Sequence, residues 1–271
     1  MNPFDIFIPI LINPLINILL ALYHVAEALG LPGPLGWSII FLTIITRLVV
    51  YPFYTSQMRH QKKLQELQPH LSELKKKWGH DRARHQQEQA RLYREKGINP
   101  AGGCLPLLIQ MPVLIGLYNV FFSALQEVPA KAITHLNSAA YADALKITTF
   151  NETFFGLSLA DAPSHHELLS AWMIVPLLTA LLQLVLAKMT QPATSPAKKS
   201  GGDSFADAMA SSQASMLYLF PVMTAYFSYS FPLGLTLYWN VANIFAIIQQ
   251  YLIAGPGGLS AWLPKRLIPS K

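Results

Sequence analysis

The sequence predicts an all-α polytopic membrane protein with five transmembrane helices, an N-terminal interfacial amphipathic helix and a cytoplasmic helical hairpin. Three observations lead to this fold class. Of 271 residues, 52% are hydrophobic and 13% are charged, whereas a typical soluble domain carries roughly 25% charged residues. Three long stretches contain no Asp, Glu, Lys or Arg: residues 97–126, 168–187 and 208–264. The basic residues are concentrated in a few connecting segments.

Residues 1–34 are interpreted as an amphipathic segment in the membrane interface. Residues 6–26 carry no charge and are long enough to span, so a sixth span or an uncleaved signal anchor is the alternative. Pro9 and Pro14 argue against a span. Four polar residues also fall within about 80° of one another at 100° per residue, which places them in one stripe: Asn13, Asn17, His24 and Glu27. Such a stripe is typical of a helix lying in the interface.

The five spans are predicted from apolar stretches of about 20 residues, the length that crosses the hydrocarbon as a helix. They lie at residues 35–54, 105–125, 168–187 and, as a pair, 216–253. The first helix should stop or kink near Pro52. The last stretch is too long for one helix and is interrupted by Phe-Pro-Leu-Gly at residues 231–234, which predicts two helices joined by a tight turn.

The connecting segments fix the expected orientation. Their Lys and Arg counts are 11 in residues 55–104, 2 in 126–167, 3 in 188–215 and 3 in 254–271. Alternate segments therefore carry 17 basic residues on one side and 2 on the other. Because cytoplasmic loops carry the excess of Lys and Arg, we expect an extracellular loop at residues 126–167, an extracellular N-terminus and a basic cytoplasmic tail.

Residues 55–104 are predicted to form the basic cytoplasmic hairpin. Apolar residues at steps of three and four make a short heptad seam in its first arm: Leu64, Leu67, Leu71, Leu74 and Trp78. Asp81 can cap a second helix, and Gly97 ends it. Two interpretations stay open: a self-packed hairpin near anionic lipid headgroups, or a docking surface for an acidic or RNA-containing partner such as a ribosome.

Arg47 is the only Lys, Arg, Asp, Glu or His within the five predicted spans. A charge at that depth costs roughly 2.5–3.5 kcal/mol on insertion scales. One interpretation is snorkelling, because Thr55 lies eight residues later, about 12 Å along a helix. The other is a polar cavity, since Thr43 is one turn before Arg47 and Thr46 adjoins it.

Further polar residues lie in the predicted spans and fit either of two roles. They are Gln110, Asn119, Gln183, Thr224, Ser228, Ser230, Thr236, Asn240, Asn243, Gln249 and Gln250. Each can join helices by hydrogen bonds of around 0.6 kcal/mol. Together they can instead line a wet groove around a positive charge, which would attract an acidic peptide segment.

Catalytic and metal-dependent classes find little support. His165, His166 and Glu167 are adjacent and do not form the His-Glu-x-x-His pattern, so we interpret them as an exposed polar cluster. Cys104 is the only cysteine, which excludes an intramolecular disulfide. We expect no enzyme activity, no cofactor and no metal. An anion channel or transporter that uses Arg47 as its binding charge is the alternative function, although no internal repeat is visible.

Four stretches carry a family resemblance: IIFLTIITRLVVYPF (39–53), KGINPAGGCLPLLIQMPVLIGLYNVF (96–121), FGLSLADAP (155–163) and FPLGLTLYWNVANIFAIIQQYLI (231–253). In this order they resemble the YidC/Oxa/Alb membrane protein insertases. The resemblance implies a bacterial cell-membrane insertase and chaperone with a hydrophilic groove open to the cytoplasm and the lipid. Too few residues precede residue 35 for the large periplasmic domain of some members, so we expect a short form.

The resemblance also implies site residues and partners. Arg47 would receive acidic residues of the translocating segment, Thr43 and Trp239 match positions that contact substrate, and Gln183 would face the groove. With the neighbouring polar residues, the expected groove set is Arg47, Thr43, Gln183, Trp239, Thr46, Gln110 and Asn240. Expected partners are nascent membrane proteins with acidic translocated segments, membrane lipids, a ribosome at the hairpin and tail, the signal recognition particle or its receptor, and a Sec translocon.

Overall fold

The computed structural model describes residues 10, 12–97, 118, 129–149, 151–167, 170–191 and 205–261. Within these ranges the chain forms eight α-helices. They are α1 (Asn13–Ala28), α2 (Pro34–Val49), α3 (Tyr51–Trp78), α4 (Arg82–Glu95), α5 (Pro129–Ser138), α6 (Ile174–Met189), α7 (Phe205–Ser230) and α8 (Leu233–Ala254). The predicted second span lies outside the described residues except for Tyr118, and so do Gln110 and Cys104.

The helices α1 and α2 pack against each other and form part of one core. Pro14 and Pro34 lie in the first turns of these helices, where a missing N–H costs no hydrogen bond. Leu19 and Tyr23 of α1 are buried in the same cluster as Ile39 of α2. Leu235, Tyr238 and Ala242 of α8 also belong to this cluster, so α1, α2 and α8 share a core.

The polar stripe of α1 contacts protein at two of its four residues. Asn17 is buried; its Nδ2 donates to the Ala139 carbonyl at 2.8 Å and its Oδ1 accepts from the Tyr141 N–H at 2.7 Å. His24 Nε2 lies 3.2 Å from the Leu145 carbonyl. Two residues of the polar stripe, Asn17 and His24, therefore bind protein, and the interfacial position of α1 stays a prediction. Their side chains satisfy backbone groups of a loop over 120 residues later, which periodicity alone does not reveal.

Residues 126–167, predicted as an extracellular loop, contain the helix α5 and a small antiparallel hairpin. Strand β1 (Thr153–Phe154) pairs with β2 (Leu157–Ser158), with Thr153 opposite Ser158 and Phe154 opposite Leu157. The turn uses positive φ at Phe155 (48°) and at Gly156 (81°). This hairpin is a local exception to the predicted all-α class.

The helices α3 and α4 form the arms of the charged segment after α2. The break between α2 and α3 is at Val50, so Pro52 occupies the first turn of α3 rather than the end of α2. Asp81 is the N-cap of α4, and its carboxylate accepts a hydrogen bond from the Arg84 N–H at 3.0 Å. The guanidinium of Arg84 lies 3.9 Å from the centre of the Trp78 ring, which ties the two arms together at the turn.

The last three helices differ from the predicted spans in their bounds. Helix α7 begins at Phe205 rather than at residue 216, because the Ala-rich stretch FADAMASSQAS continues the helix. Helix α6 begins at Ile174 rather than at residue 168 and follows a 3₁₀ turn, Ala171–Met173. Helices α7 and α8 are joined through Phe231 and Pro232, within the predicted turn.

By length and composition, one described segment is apolar enough to cross a membrane, Ala171–Met189. The pair Pro34–Val49 and Tyr51–Trp78 meets the same criterion only when taken together. Helix α8 contains several buried polar side chains, which lower its apolar content: Thr236, Asn240, Gln249 and Gln250. The full set of five spans therefore stays a prediction.

Two compact units divide the chain. The first comprises Met1–Val50, Leu107–Leu182 and Val222–Phe245, and it contains the apolar core described above. The second comprises Tyr51–Pro106, Gln183–Pro221 and Ala246–Lys271. In the second unit the C-terminal end of α6 is held by side chains of α3, because Gln61 and Gln65 both donate to the Thr190 carbonyl, at 3.4 and 2.5 Å.

Candidate functional site

Arg47 lies in the last turn of α2 and is half-buried. Ile45, Leu48 and Val49 in the same turns are exposed. At 100° per residue, Arg47 lies about 160° around the helix from both Ile45 and Val49. The cation is thus on the opposite side of the helix from Ile45 and Val49 and about 100° from Leu48, and Thr43 is only about 40° away from it.

Thr43 and Thr46 use their hydroxyl protons within α2. Thr43 is buried, and its hydroxyl donates to the Ile39 carbonyl at 2.6 Å. The Thr46 hydroxyl donates to the Thr43 carbonyl at 2.9 Å. Such bonds to earlier carbonyls leave only the hydroxyl oxygens as acceptors. The chemistry that α2 offers beside its cation is therefore that of weak hydrogen-bond acceptors.

Trp239 of α8 belongs to an aromatic cluster of the first unit. Its ring centre is 6.2 Å from that of Phe231, which stacks on Phe227 at 5.7 Å. The Tyr118 ring lies 6.0 Å from that of Phe231. Trp239 is half-buried. Its position is therefore fixed by ring contacts at the turn between α7 and α8, while part of its surface stays accessible.

Asn240 has an unusual environment for a polar side chain. It is 6% exposed, and its buried Oδ1 has no hydrogen-bond partner within the described part of the chain. Leaving a buried acceptor unsatisfied costs about 1–3 kcal/mol. The carbonyl oxygen is thus available to a water molecule or to an N–H group that enters the site.

Other predicted polar residues join helices. The Thr179 hydroxyl of α6 lies 3.1 Å from the Ser228 hydroxyl of α7, and the Thr236 hydroxyl of α8 donates to the Ser228 carbonyl at 3.4 Å. All three residues are buried. For Ser228 and Thr236 the structure therefore favours the helix-joining role over the groove-lining role. Thr179 was not predicted from the sequence, where its only signal is its place one turn before Gln183.

Gln183 lies on the side of α6 that faces away from exposed apolar residues. Ile174, Leu177 and Leu181 are exposed on one face of the helix. Gln183 is about 160–180° around the helix from Ile174 and Leu181. It belongs to the second unit, whereas Arg47 and Trp239 belong to the first.

Of the predicted site residues, Thr43, Thr46 and Arg47 lie together on α2, and Trp239 and Asn240 lie together on α8.

A further polar contact lies at the start of α3 in the second unit. Gln249 of α8 is buried, and its Nε2 donates to the Tyr51 carbonyl at 3.2 Å and to the Thr55 hydroxyl at 3.1 Å. In the sequence, the only sign of a polar contact at Gln249 is its position next to Gln250 on a mostly apolar helix. This contact attaches α8 to the first turn of α3.

The loop at residues 126–167 carries a carboxylate with two histidine partners. Asp161 Oδ1 accepts from His165 Nδ1 at 2.6 Å and Oδ2 accepts from His166 Nε2 at 2.7 Å. Partial burial acts to raise the pKa of Asp161, but the hydrogen bonds from both histidines and from the Ala162 N–H hold it below its usual value. His165 is exposed as predicted, whereas His166 is half-buried and stacks on the Trp172 ring at 3.8 Å.

The same loop caps the last helix. The Leu233 N–H donates to the Asp161 carbonyl and the Gly234 N–H donates to the Leu159 carbonyl, both at 2.9 Å. These two N–H groups lie in the first turn of α8, where no helical partner exists. The loop therefore fixes the helix that carries Trp239 and Asn240. Within the described residues, no group of three or more His, Cys, Asp or Glu side chains is arranged to hold a metal ion.

Comparisons with known proteins agree with one another. Residues 27–256 match the family described as the 60Kd inner membrane protein. Proteins named membrane protein insertase YidC from Rickettsia rickettsii (strain Sheila Smith) and Rickettsia akari (strain Hartford) are each 32% identical over 225 residues, 83% of this chain and 36% of theirs. The chain thus spans about a third of the length of the curated relatives it matches.

A solved structure shows the same fold. It is a crystal structure of an active YidC insertase with its first transmembrane domain resolved, and the superposition gives a TM-score of 0.53. The sequences are 21% identical, and the similarity covers 93% of this chain and 47% of that one. This likeness extends across both units of the present chain.

Proposed function

Because the chain belongs to the YidC/Oxa/Alb membrane protein insertase family, we propose that it inserts nascent membrane proteins into a lipid bilayer and assists their folding. The observation that carries this proposal is the extent of the family match. It includes all of α2 to α8, and hence Arg47, Trp239 and Asn240. An insertase makes and breaks no covalent bond, so the proposed activity is not enzymatic.

A location in the membrane is supported by the surface of the last three helices. Large apolar side chains are exposed along them, a pattern that marks contact with lipid or with another apolar surface. They include Ile174, Leu177, Leu178 and Leu181 on α6, Tyr218, Leu219, Val222 and Tyr226 on α7, and Ile244, Ile248 and Leu252 on α8. We propose five spans with the N-terminus outside and the basic segments in the cytoplasm.

The proposed binding element is a polar groove around Arg47. Two observations support it: Arg47 lies away from the exposed apolar side of α2, and Asn240 has a buried acceptor oxygen without a partner among the described residues. Thr43, Thr46 and Trp239 are further groove residues in this proposal, and Gln110 and Gln183 are included because of the family resemblance. A permanent cation in a region of low dielectric constant attracts the carboxylates of a passing segment.

The mechanism proposed follows from the cost of moving charge through hydrocarbon. An acidic residue crossing the bilayer centre costs roughly 2.5–3.5 kcal/mol on insertion scales. Transient contact with the Arg47 guanidinium would reduce that cost, and polar side chains would shorten the apolar path. The apolar segment of the substrate would then leave the groove sideways into lipid, where burial of its side chains favours the final state.

Substrates and partners complete the proposal. Substrates are nascent membrane proteins with acidic translocated segments. The basic arms α3 and α4, together with the C-terminal tail, are proposed to meet a ribosome, the signal recognition particle or its receptor, while a Sec translocon acts alongside. The cation at Arg84, held over the Trp78 ring, and the exposed Lys76 and Lys77 support an electrostatic contact with an RNA surface.

The test is insertion by the purified protein in proteoliposomes. The substrate is a small single-span protein with an acidic external tail, and protease protection of that tail measures translocation. We expect protection with the protein present and little in protein-free liposomes. Liposomes that conduct anions and protect no tail would instead establish the channel or transporter alternative and disprove the insertase proposal.

A further inference from the structure

The turn of the β1–β2 hairpin exposes a large aromatic side chain. Phe155 is 78% exposed, although it lies in a loop that also contains many polar residues. Its φ of 48° is rare for a residue with a bulky side chain. An aromatic ring in this position is unfavourable in water and fits contact with an apolar phase.

The position of Phe155 is fixed by its neighbours. Its ring centre lies 4.6 Å from that of Phe154 in an edge-to-face arrangement. Phe154 in turn packs on the first turns of α2, where a Cβ atom at Gly36 would be 2.2 Å from the Phe154 ring and one at Gly33 would be 2.6 Å from the Thr153 carbonyl. The Trp37 ring lies 6.0 Å from Phe154. The exposed ring is therefore held beside the N-terminal end of α2.

A second exposed apolar side chain lies in the segment between α1 and α2. Leu29, just after α1 and four residues before Gly33, is 69% exposed. The end of a membrane-spanning helix lies at the membrane–water interface, where aromatic side chains are enriched. The two exposed apolar side chains therefore lie in two segments of the first unit: Leu29 precedes α2 along the chain, and Phe155 follows Phe154, which packs on α2.

We propose that Phe155 is seated in the lipid interface and anchors the β1–β2 hairpin to the bilayer. This inference rests on α2 spanning the membrane, as the proposed function requires. The occupant is the lipid itself, because the ring is fixed beside the end of a spanning helix. The anchored segment continues to Leu159 and Asp161, whose carbonyls hold the first turn of α8. The lipid contact thus positions the loop that fixes the helix of Trp239.

The test uses single cysteines labelled with an environment-sensitive fluorophore, in a Cys104→Ser background in lipid nanodiscs. The labelled variants are Phe155→Cys, Leu29→Cys, Asp143→Cys and Ile45→Cys. Asp143 is the control for the same loop, with a side chain that is 91% exposed. Ile45 reports whether α2 itself contacts lipid. Quenchers are iodide in the aqueous phase and lipids that carry a spin label near the headgroup or deep in the acyl chain.

We expect the label at residue 155 to emit at shorter wavelength than the label at 143. Lipids labelled near the headgroup should quench it severalfold more strongly than they quench the label at 143, and iodide should show the reverse order. The label at 29 should behave like that at 155, which covers the case in which a substitution at 155 disturbs the turn. Deep-labelled lipid should quench the label at 45.

The outcomes distinguish failure of the lipid anchor from failure of the proposed insertase function. Iodide access at 155 equal to that at 143, with lipid quenching at 45, overturns the anchor and leaves the insertase proposal intact. A label at 155 that is shielded from both quenchers also overturns it, because protein rather than lipid then covers the ring. Absence of lipid quenching at 45 removes the spanning helix on which both proposals depend.

Discussion

Arg47 is expected to act through its positive charge rather than through its shape. Arg47→Lys should retain much of the insertion activity, while Arg47→Ala should lose it for substrates with acidic translocated tails. A hydrogen bond to a charged group contributes about 1.5–3 kcal/mol, so the expected loss is about tenfold or more. Protease protection of matched acidic and neutral tails in proteoliposomes measures it.

Lys76→Ala is the matched control for this loss, because it also removes one positive charge but lies on the exposed surface of α3. It should insert both tails as well as the unchanged protein in an assay without ribosomes. If Arg47→Ala lost activity equally on acidic and neutral tails, Arg47 would have a structural role instead.

Asn240 is expected to lower stability and to serve function. Asn240→Leu removes a buried oxygen that lacks a partner among the described residues. The free energy of unfolding in detergent should therefore stay unchanged or increase by about 1 kcal/mol at most. Insertion should fall, because an acceptor in the proposed groove is lost. Thr236→Val is the control, since it removes a hydroxyl that is bonded to the Ser228 carbonyl. A parallel loss of stability and insertion in Asn240→Leu would contradict the proposed role.

At the scale of elements, the contact between the β1–β2 hairpin and α2 depends on the absence of a side chain at one position. Gly36→Ala should destabilise the protein by about 1–3 kcal/mol, the usual cost of overpacking, because the new methyl group would overlap the Phe154 ring. Thermal unfolding in detergent measures this. The double variant Gly36→Ala with Phe154→Leu should recover part of the loss, and an additive loss would show that the two sites do not interact.

The stability of the loop that caps α8 should depend on the protonation state of Asp161. The folded-state pKa of Asp161 is lowered, so its contribution to stability is present above its ordinary pKa near 3.8 and disappears as the pH falls below that value. Thermal unfolding of Asp161→Asn should therefore show a deficit at pH 6 that narrows towards pH 3, about one unit below that pKa. A deficit that is constant with pH would assign the effect to packing rather than to the charge.

Elements that depend on local chemistry were predictable from the sequence. Asp81 followed by a helical stretch indicates a cap, and the structure has it with the Arg84 N–H as donor. Pro232 and Gly234 in an apolar run likewise indicate the turn between α7 and α8. In the candidate site, the position of Arg47 in an apolar helix one turn after Thr43 was predictable, because it depends only on the local sequence.

Elements that depend on distant residues were not predictable. The β1–β2 hairpin is held by Phe154 against Gly36, and Asn17 binds a loop over 120 residues away. Neither contact leaves a periodic pattern, because its two partners have no fixed spacing. The same holds for Thr179 and Ser228, which meet only after α6 and α7 pack. An isolated hydroxyl on an apolar helix does not indicate its partner.

Across the whole chain, the basic residues are distributed unequally between the two units. Basic side chains such as Lys76 and Lys77 are exposed on α3, which belongs to the second unit. The loop at residues 126–167, with α5 and the β hairpin, belongs to the first unit. Lys131 and Lys146 are its only basic residues besides histidine. The asymmetry that predicts orientation therefore coincides with a division of the fold into two units.

The unequal distribution of basic residues predicts which segments face each side of the membrane. In a Cys104→Ser background, a cysteine at Asp143 should react with a membrane-impermeant maleimide in intact bacterial spheroplasts, and a cysteine at Lys76 should react only after permeabilisation. Both positions are exposed, so the difference reports the side of the membrane rather than burial. The physical reason is the retention of basic segments in the cytoplasm during insertion. Reaction of both cysteines before permeabilisation would contradict the proposed topology, and reversed reactivity would place α3 and α4 outside, where a ribosome cannot reach them.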